Sequence, residues 1–220
     1  MIKFEKAAAF NFMGAVRNMR NSWESWHLID SVQHKDKYSF QPEDVKNEAN
    51  AETFQFGEAD LTLALKLAKA GGDHSKYLRQ ILVSVDITAP LYFFKQFDQY
   101  KVGTVTNSTS TMHTLKKTPI TIDLLSVEDL DEKALNVMKE YLDSLEQIRV
   151  LHNETKEKKY WRMLIQMIPD SINQTRGTTL NYQVLRNMYH SRKGHRLSEW
   201  QDFAAWVETL PYSELITTKK

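Results

Sequence analysis

The fold is decided by the stretch at residues 79–112, which reads RQILVSVDITAPLYFFKQFDQYKVGTVTNSTSTM. Its first part, residues 79–87, alternates apolar and polar side chains, which predicts a β-strand with one apolar face. Pro90 ends this strand, and the aromatic residues of 91–101 predict a short helix. Residues 103–114 are rich in Thr, Ser and Asn and lack periodicity, which is typical of a loop.

Helical spacing of apolar residues dominates the rest of the chain. The pattern predicts helices over 58–70, 160–168 and 179–192, a long helix after Ser126, and a last helix from Ser198 to Pro211. The long helix begins with a capping-box pattern, because Asp129 follows Ser126 by three residues. Residues 1–24 predict a short strand and a helix, and residues 115–122 an extended segment. Many helices with few strands indicate the α+β class.

The composition excludes several classes of protein. The chain has 220 residues, with 29 Lys and Arg against 28 Asp and Glu, so its formal net charge is +1. This length suits one domain or two small ones. A near-neutral chain lacks the cationic excess that polynucleotide binding requires, so we expect no DNA or RNA partner. The absence of cysteine excludes a disulfide scaffold, a zinc ribbon and a cysteine-nucleophile enzyme.

Targeting and metal signals are absent from the sequence. No stretch approaches the ~20 apolar residues of a membrane helix, and residues 1–12 are too short and too charged for a signal peptide. We therefore expect a cytoplasmic protein with no membrane partner. The histidines show no metal-ligand spacing, so no metal site is expected. Residues 31–57 are polar and without sustained period, which predicts a mobile insertion or flap.

The stretch around Pro90 resembles the signature of the flavin-dependent thymidylate synthases. That family carries A-P-x-x-x-x-R-Q-W/F before R-H-R-x-x-S-x-N-E-x-S-x-R. Here Ala89-Pro90 and Lys95-Gln96-Phe97 lie at the first motif. Thr104, Asn107 and Ser110 match the second motif when one residue is inserted near Thr106.

Two further blocks carry the same resemblance. Residues 15–22 read AVRNMRNS, which is similar to the family's early A-V-R-x-x-R-x-S. Pro169, Asn181, Asn187 and Arg192 fall at the spacing of a proline, two asparagines and an arginine in the family. The three blocks occur in the family's order and span nearly the whole chain.

The resemblance implies a fold and a function. The fold would be a single domain over residues 1–220, with helices packed on a small, mostly antiparallel sheet. The chain would be a methyltransferase that converts dUMP to dTMP as a homotetramer, with FAD as cofactor and NADPH and methylenetetrahydrofolate as co-substrates. No catalytic side-chain nucleophile is expected, because catalysis rests on holding flavin, uracil and folate face to face.

The resemblance also implies the binding residues. Those that would contact FAD are Ser22, Gln99, Tyr100, Lys101, Ser108, Asn181 and Asn187. Those that would contact the nucleotide are Gln96, Ser110 and Arg192. In a helix over 179–192, Asn181 and Arg192 would lie close to one stripe and Asn187 elsewhere. Without the resemblance, the two asparagines are ordinary helix-surface amides, and Arg192 is a cation favoured at a helix C-terminus.

Several positions depart from the family pattern. Gln99-Tyr100-Lys101 replaces R-H-R, and Ser108 replaces the glutamate. Met112 and Ile165 replace two arginines that would bind the phosphate. Met and Ile cannot bind a phosphate, and each lost charge-assisted contact removes ~1.5–3 kcal/mol. The residues that could substitute for these arginines are Lys101, His113, Arg162 and Arg176.

These departures leave three hypotheses open. The first is a divergent flavin-dependent thymidylate synthase. The second is a flavin- or nucleotide-binding relative that modifies another pyrimidine nucleotide. The third is a non-catalytic homo-oligomeric scaffold, which would bind neither FAD nor dUMP. Bound flavin separates the first two hypotheses from the third.

Overall fold

The computed structural model describes residues 2–34 and 54–219. The insertion or flap predicted at residues 31–57 lies mostly outside the described residues, as does the side chain of Met112. The described ends of that segment pair as two short antiparallel strands, with Val32 opposite Gln55.

In chain order, the strands and α-helices among the described residues are β1 (Lys3–Phe10), α1 (Phe12–Met19), β2 (Val32–Gln33), β3 (Phe54–Gln55), α2 (Glu58–Ala70), β4 (Leu82–Pro90), α3 (Leu91–Phe97), β5 (Val105–Ser108), α4 (Thr111–Thr114), α5 (Glu132–Thr155), α6 (Lys158–Met167), β6 (Asn173–Asn181), α7 (Tyr182–Arg192), α8 (Ser198–Glu208) and α9 (Glu214–Thr217). Short 3-10 helices cover Asn21–Trp23, Trp26–Leu28, Gly72–Gln80 and Ile122–Leu124.

The described residues form two compact units. Unit 1 comprises those in Met1–Lys3, Thr88–Gln99 and Asn107–Arg176. Unit 2 comprises those in Phe4–Ile87, Tyr100–Thr106 and Gly177–Lys220. Each unit is built from three separate stretches of chain. A single domain over residues 1–220 stays a prediction.

Four strands form the main sheet, in the order β1-β4-β6-β5. Strands β4 and β6 run antiparallel. In unit 2, Tyr182 donates its backbone N–H to the carbonyl of Ile81 at 3.0 Å. In unit 1, the hydroxyls of Thr88 and Thr175 are hydrogen-bonded at 2.7 Å. The α+β class and the small antiparallel sheet expected from the sequence are confirmed.

The alternating pattern of residues 79–87 describes the buried strand correctly. Ile81, Val83, Val85 and Ile87 all lie in the core. The strand β4 ends at Pro90, as the sequence predicts, and the Thr88 hydroxyl bonds that of Thr175 in β6 near this end. Unit 1 contains an aliphatic core cluster, to which Leu142 and Leu145 of α5 and Leu164 of α6 contribute.

The sequence prediction places the first residue of two helices too early. The helix predicted over 179–192 begins at Tyr182, because Asn173–Asn181 form the strand β6. The long helix begins at Glu132 and not near Ser126. Its N-cap is Asp131, whose carboxylate accepts the backbone N–H of Ala134 at 2.8 Å.

The prediction for residues 103–122 is also wrong in part. The loop predicted over 103–114 contains β5 and α4, because β5 pairs at the edge of the sheet beside β6. The segment predicted as extended, 115–122, continues from α4 as turns and enters the 3-10 helix Ile122–Leu124. Thr is common in strands and Ser in turns, so a segment rich in both did not show by composition which structure it forms.

Candidate functional site

The site residues predicted from the sequence divide between the two units. Unit 1 holds Gln96, Gln99, Ser108 and Ser110. Unit 2 holds Ser22, Tyr100, Lys101, Asn181, Asn187 and Arg192.

Arg192 is held by two aromatic side chains of unit 2. It lies in the last turn of α7, where the partial negative charge of the helix end favours a cation. Its guanidinium Nε donates to the Tyr100 hydroxyl at 2.9 Å. The guanidinium carbon lies 5.1 Å from the ring centroid of Trp200 and 5.7 Å from that of Tyr100. These contacts fix the position of a cation that the sequence predicts to bind a nucleotide.

The loop that carries Tyr100 also lies against Asn181, at the start of α7. A Cβ atom placed on Gly103 would lie 2.7 Å from Asn181 Nδ2, so a side chain there would displace the Asn181 amide. Gly103 also has φ +81°, which glycine adopts without a steric penalty. The segment Tyr100–Thr106 therefore contacts both ends of α7.

Asn181 does not occupy the helical position predicted for it. Its backbone is extended, with φ −127° and ψ 165°, and it is the N-cap of α7. Its Oδ1 accepts the backbone N–H of Val184 at 3.0 Å. The helical stripe expected to join Asn181 with Arg192 is therefore wrong. The Tyr100–Thr106 loop contacts both residues instead, Asn181 at the start of α7 and Arg192 at its end.

Three other predicted residues of unit 2 are exposed, namely Ser22, Lys101 and Asn187. Asn187 Oδ1 accepts from Gln183 Nε2 at 3.1 Å. Among the described residues, no hydrogen bond joins Ser22 or Asn187 to Tyr100 or Arg192. The structure does not bring these two residues together with the Tyr100–Arg192 pair.

In unit 1, a polar network secures the loop that carries Ser108 and Ser110. Gln174 Nε2 donates to the carbonyl of Thr109 at 2.9 Å and to the Thr111 hydroxyl at 3.3 Å. The backbone N–H of Thr109 donates to the carbonyl of Thr175 at 2.9 Å. Gln174 was not predicted as a site residue, because residues 173–178 contain no apolar side chain whose spacing would indicate a strand.

Arg176 completes this network. Its Nε donates to Gln174 Oε1 at 2.9 Å, and its Nη1 donates to Asp98 Oδ1 at 2.7 Å. Its guanidinium carbon lies 3.9 Å from the ring centroid of Phe94. Arg176 was one of the cations that could replace a lost phosphate ligand. The structure instead engages its guanidinium with a carboxylate, an amide and a ring.

The other predicted site and motif positions differ in how far they are buried. Ile165 is half-buried and packs against the apolar core of unit 1. Ser108, Gln99 and Lys101 are exposed, whereas Gln96 and Ser110 are half-buried. An isoleucine in a core position contributes packing where an arginine would have contributed charge.

A buried ion pair in unit 2 escaped the sequence analysis. Arg20 Nε donates to Asp60 Oδ1 at 2.6 Å, and both side chains are almost fully buried. Asp60 Oδ2 accepts the backbone N–H and the hydroxyl of Ser31, at 2.9 and 2.7 Å. The pair ties the segment after α1 to the first turn of α2.

The described residues offer neither a metal site nor a membrane-spanning helix. Among residues 2–34 and 54–219, no group of three His, Asp or Glu side chains could hold a metal ion. No helix in the same residues is both long and apolar enough to cross a bilayer.

Two solved structures match the chain along almost its whole length. Thymidylate synthase X (ThyX) from Helicobacter pylori with FAD and dUMP matches with a TM-score of 0.68 and 18% identity, over 99% of this chain and 98% of that one. A second crystal structure of this flavin-dependent thymidylate synthase, complexed with FAD and dUMP, matches with a TM-score of 0.66 and 19% identity, over 96% and 97%. The chain has the ThyX fold.

The match to ThyX confirms the fold that the three sequence blocks implied. No protein-family model and no curated protein sequence matches the chain. The ThyX fold here is therefore carried by a divergent sequence, and most of its side chains differ from those of the H. pylori enzyme.

Proposed function

We propose that the chain is a divergent flavin-dependent thymidylate synthase that methylates dUMP to dTMP in the cytoplasm as a homotetramer. FAD would be the cofactor, with NADPH and methylenetetrahydrofolate as co-substrates. One observation carries the proposal: the Tyr100–Thr106 loop contacts both Asn181 and Arg192. One loop of unit 2 thus contacts a residue with an implied flavin contact and a residue with an implied nucleotide contact. The ThyX fold supports the same reading.

The residues present fit a flavin dinucleotide. Ser22, Lys101 and Asn187 are exposed and supply a hydroxyl, an ammonium and an amide, which suit ribose, phosphate and ring edges. The hydroxyl oxygen of Thr104 is buried and lacks a hydrogen-bond partner among the described residues. A bound polar group or an ordered water would satisfy it. When bound and reduced, FAD supplies the hydride for the reaction.

The side chains of this chain would bind and orient the nucleotide. Arg192 supplies a fixed cation for its phosphate, and the amide of Gln96 can both donate to and accept from the edge of a uracil. Ser110 supplies a further hydroxyl. None of these residues attacks the base, and the chain has no cysteine that could do so. Catalysis would rest on positioning.

The absorption spectrum of the freshly purified protein tests the proposal. We expect bound flavin that NADPH bleaches, and tritium release from 5-³H-dUMP when methylenetetrahydrofolate is added. Arg192→Gln should retain flavin but weaken dUMP binding, whereas Arg196→Gln, at a nearby exposed arginine, should leave both unchanged. A protein that binds no flavin and does not rescue a thymidine-requiring strain contradicts the proposal.

A second candidate function is the modification of another pyrimidine nucleotide. It is favoured by Arg176, whose guanidinium already bonds Asp98 and is engaged within unit 1. It is also favoured by Tyr100, a neutral residue at a position where the resembled motif has a histidine. This candidate predicts bound flavin without tritium release from dUMP, and release from a different pyrimidine nucleotide labelled at the same carbon.

A further inference from the structure

Trp23 is the most exposed tryptophan among the described residues, with 88% of its surface accessible. It lies in unit 2, on the 3-10 turn that follows α1. Trp26 and Leu28, a few residues later, are 44% and 55% exposed. An indole left in water has a free-energy cost that a bound aromatic or apolar partner would remove.

The turn that carries Trp23 is held rigidly by a relay of amide side chains. Gln80 Oε1 accepts from Asn18 Nδ2 at 2.6 Å, and Asn18 Oδ1 accepts from Asn21 Nδ2 at 2.9 Å. Asn21 Oδ1 then accepts from Trp26 Nε1 at 2.8 Å. These bonds fix the backbone on both sides of Trp23.

The buried Arg20–Asp60 ion pair anchors the same turn from the interior. Arg20 immediately precedes the turn, and its carbonyl accepts the backbone N–H of Ser25 at 3.2 Å. The amide hydrogen bonds and the Arg20–Asp60 ion pair therefore both hold the segment around the exposed ring of Trp23. A surface ordered before binding loses little conformational entropy on binding.

The polar residues that precede Trp23 in the chain indicate the class of ligand. Ser22, directly before it, is an exposed hydroxyl, and Arg17 is an exposed cation in the last turn of α1. An indole favours stacking on a flat ring. A hydroxyl and a guanidinium favour ribose and phosphate oxygens. A flat aromatic ring joined to phosphate matches all three groups.

We propose that Trp23 is a stacking residue for a ring of the flavin dinucleotide, with the adjoining Ser22 and the exposed Arg17 of the preceding helix contributing to the sugar–phosphate part. This inference rests on the proposed function, because it takes FAD as the ligand of Ser22. It adds Trp23 and Arg17 to the binding surface.

The test measures FAD affinity of the full-length flavin-free protein by calorimetry. Trp23→Ala should raise the Kd about tenfold, since stacking a flat base on an aromatic ring is worth about 1–3 kcal/mol. Trp23→Phe, which keeps a ring, should stay within about threefold of wild type. Leu28→Ala, at an exposed apolar residue of the same segment, is the matched control and should leave the Kd unchanged.

Two fragments of the cofactor locate the ring. Riboflavin carries the flavin ring without phosphate, and AMP carries the adenine ring with one phosphate. Trp23→Ala should weaken whichever of the two competes for this surface. FAD-induced quenching of tryptophan fluorescence should shrink in Trp23→Phe and persist in Trp206→Phe. Arg17→Gln should weaken FAD binding most strongly at low salt.

Three outcomes overturn the inference. The first is a Trp23→Ala protein that binds FAD with the wild-type Kd. The second is an unchanged Kd per site with a change in oligomeric state by light scattering, which would assign the surface to a second copy of the chain. The third is a wild-type protein that binds no FAD, which also ends the proposed function. The first two outcomes leave the proposed function standing.

Discussion

Arg192 donates a hydrogen bond from Nε to the hydroxyl of Tyr100 at 2.9 Å, across 92 residues of sequence. Tyr100 belongs to the loop after α3, and Arg192 to the last turn of α7. The bond joins two stretches whose roles in the sequence analysis were separate. It also explains how a tyrosine is accommodated where the resembled motif has a histidine, because the hydroxyl accepts from the arginine.

Removing this hydroxyl should weaken nucleotide binding. In Tyr100→Phe the aromatic ring stays beside Trp200, but Arg192 loses an acceptor. Because hydrogen bonds to charged groups contribute about 1.5–3 kcal/mol, we expect the Kd for dUMP to rise by about tenfold or more. Calorimetric titration with dUMP measures the change. Tyr160→Phe, on α6 in unit 1, is the control, and an equal loss there would refute the role of the bond.

Gly103 should not tolerate a side chain. Gly103→Ala places a Cβ at a backbone with φ +81° and 2.7 Å from Asn181 Nδ2. We expect the free energy of unfolding to fall by about 1–2 kcal/mol or more, from backbone strain and displacement of Asn181. Urea denaturation measures this loss. Gly194→Ala is the matched control, since a Cβ there meets nothing within 4 Å and the change should be neutral or slightly stabilising.

The buried ion pair should be the most sensitive charged contact of unit 2. Asp60→Asn leaves the buried guanidinium of Arg20 without a counter-charge, so we expect a loss of about 3–5 kcal/mol in unfolding free energy. Asp86→Asn breaks the pair with Lys6, whose side chain is 57% exposed, and should cost far less, because water already screens this pair. Similar losses in the two variants, measured by chemical denaturation, would contradict this ranking.

Alkaline pH should destabilise the protein partly through Tyr189. Its hydrogen bond to Glu208, at 2.6 Å, together with burial raises the pKa of Tyr189 to about 12, above its ordinary value of about 10. The folded state therefore retains this proton after the unfolded chain has lost it. The contribution of Tyr189 to stability is complete below pH ~10 and is lost as pH rises through ~12.

Denaturation at several alkaline pH values checks this expectation. In Tyr189→Phe the fall in unfolding free energy between pH ~10 and ~12 should be shallower than in the wild type. It should not vanish, because burial also raises the pKa of Tyr77 and Tyr182. An unchanged slope in Tyr189→Phe would show that the Glu208 contact does not couple stability to this proton.

Local patterns accounted for much of the fold. The alternation at residues 79–87 identified the buried face of β4, and the helical spacing of 58–70 with Gly71 after it matched α2 at both ends. Such signals succeed because apolar periodicity, and the glycine or proline that ends a helix or strand, act over a few residues. The candidate site was harder to predict from the sequence. The pairing of β6 with β4 makes Asn181 the N-cap of α7, whereas the local pattern predicts a helical residue there.

The sequence by itself determined that the chain is an α+β protein with no thiol chemistry, and it pointed to the residue blocks of the ThyX fold. The tertiary structure alone decided that Tyr100 meets Arg192, that Gly103 approaches Asn181, that Arg176 bonds Asp98, and that Arg20 pairs with Asp60 in the interior. The physical reason is the separation of the paired residues along the sequence. Each of these contacts joins residues at least 40 positions apart, and its energy depends on burial and geometry that no local pattern encodes.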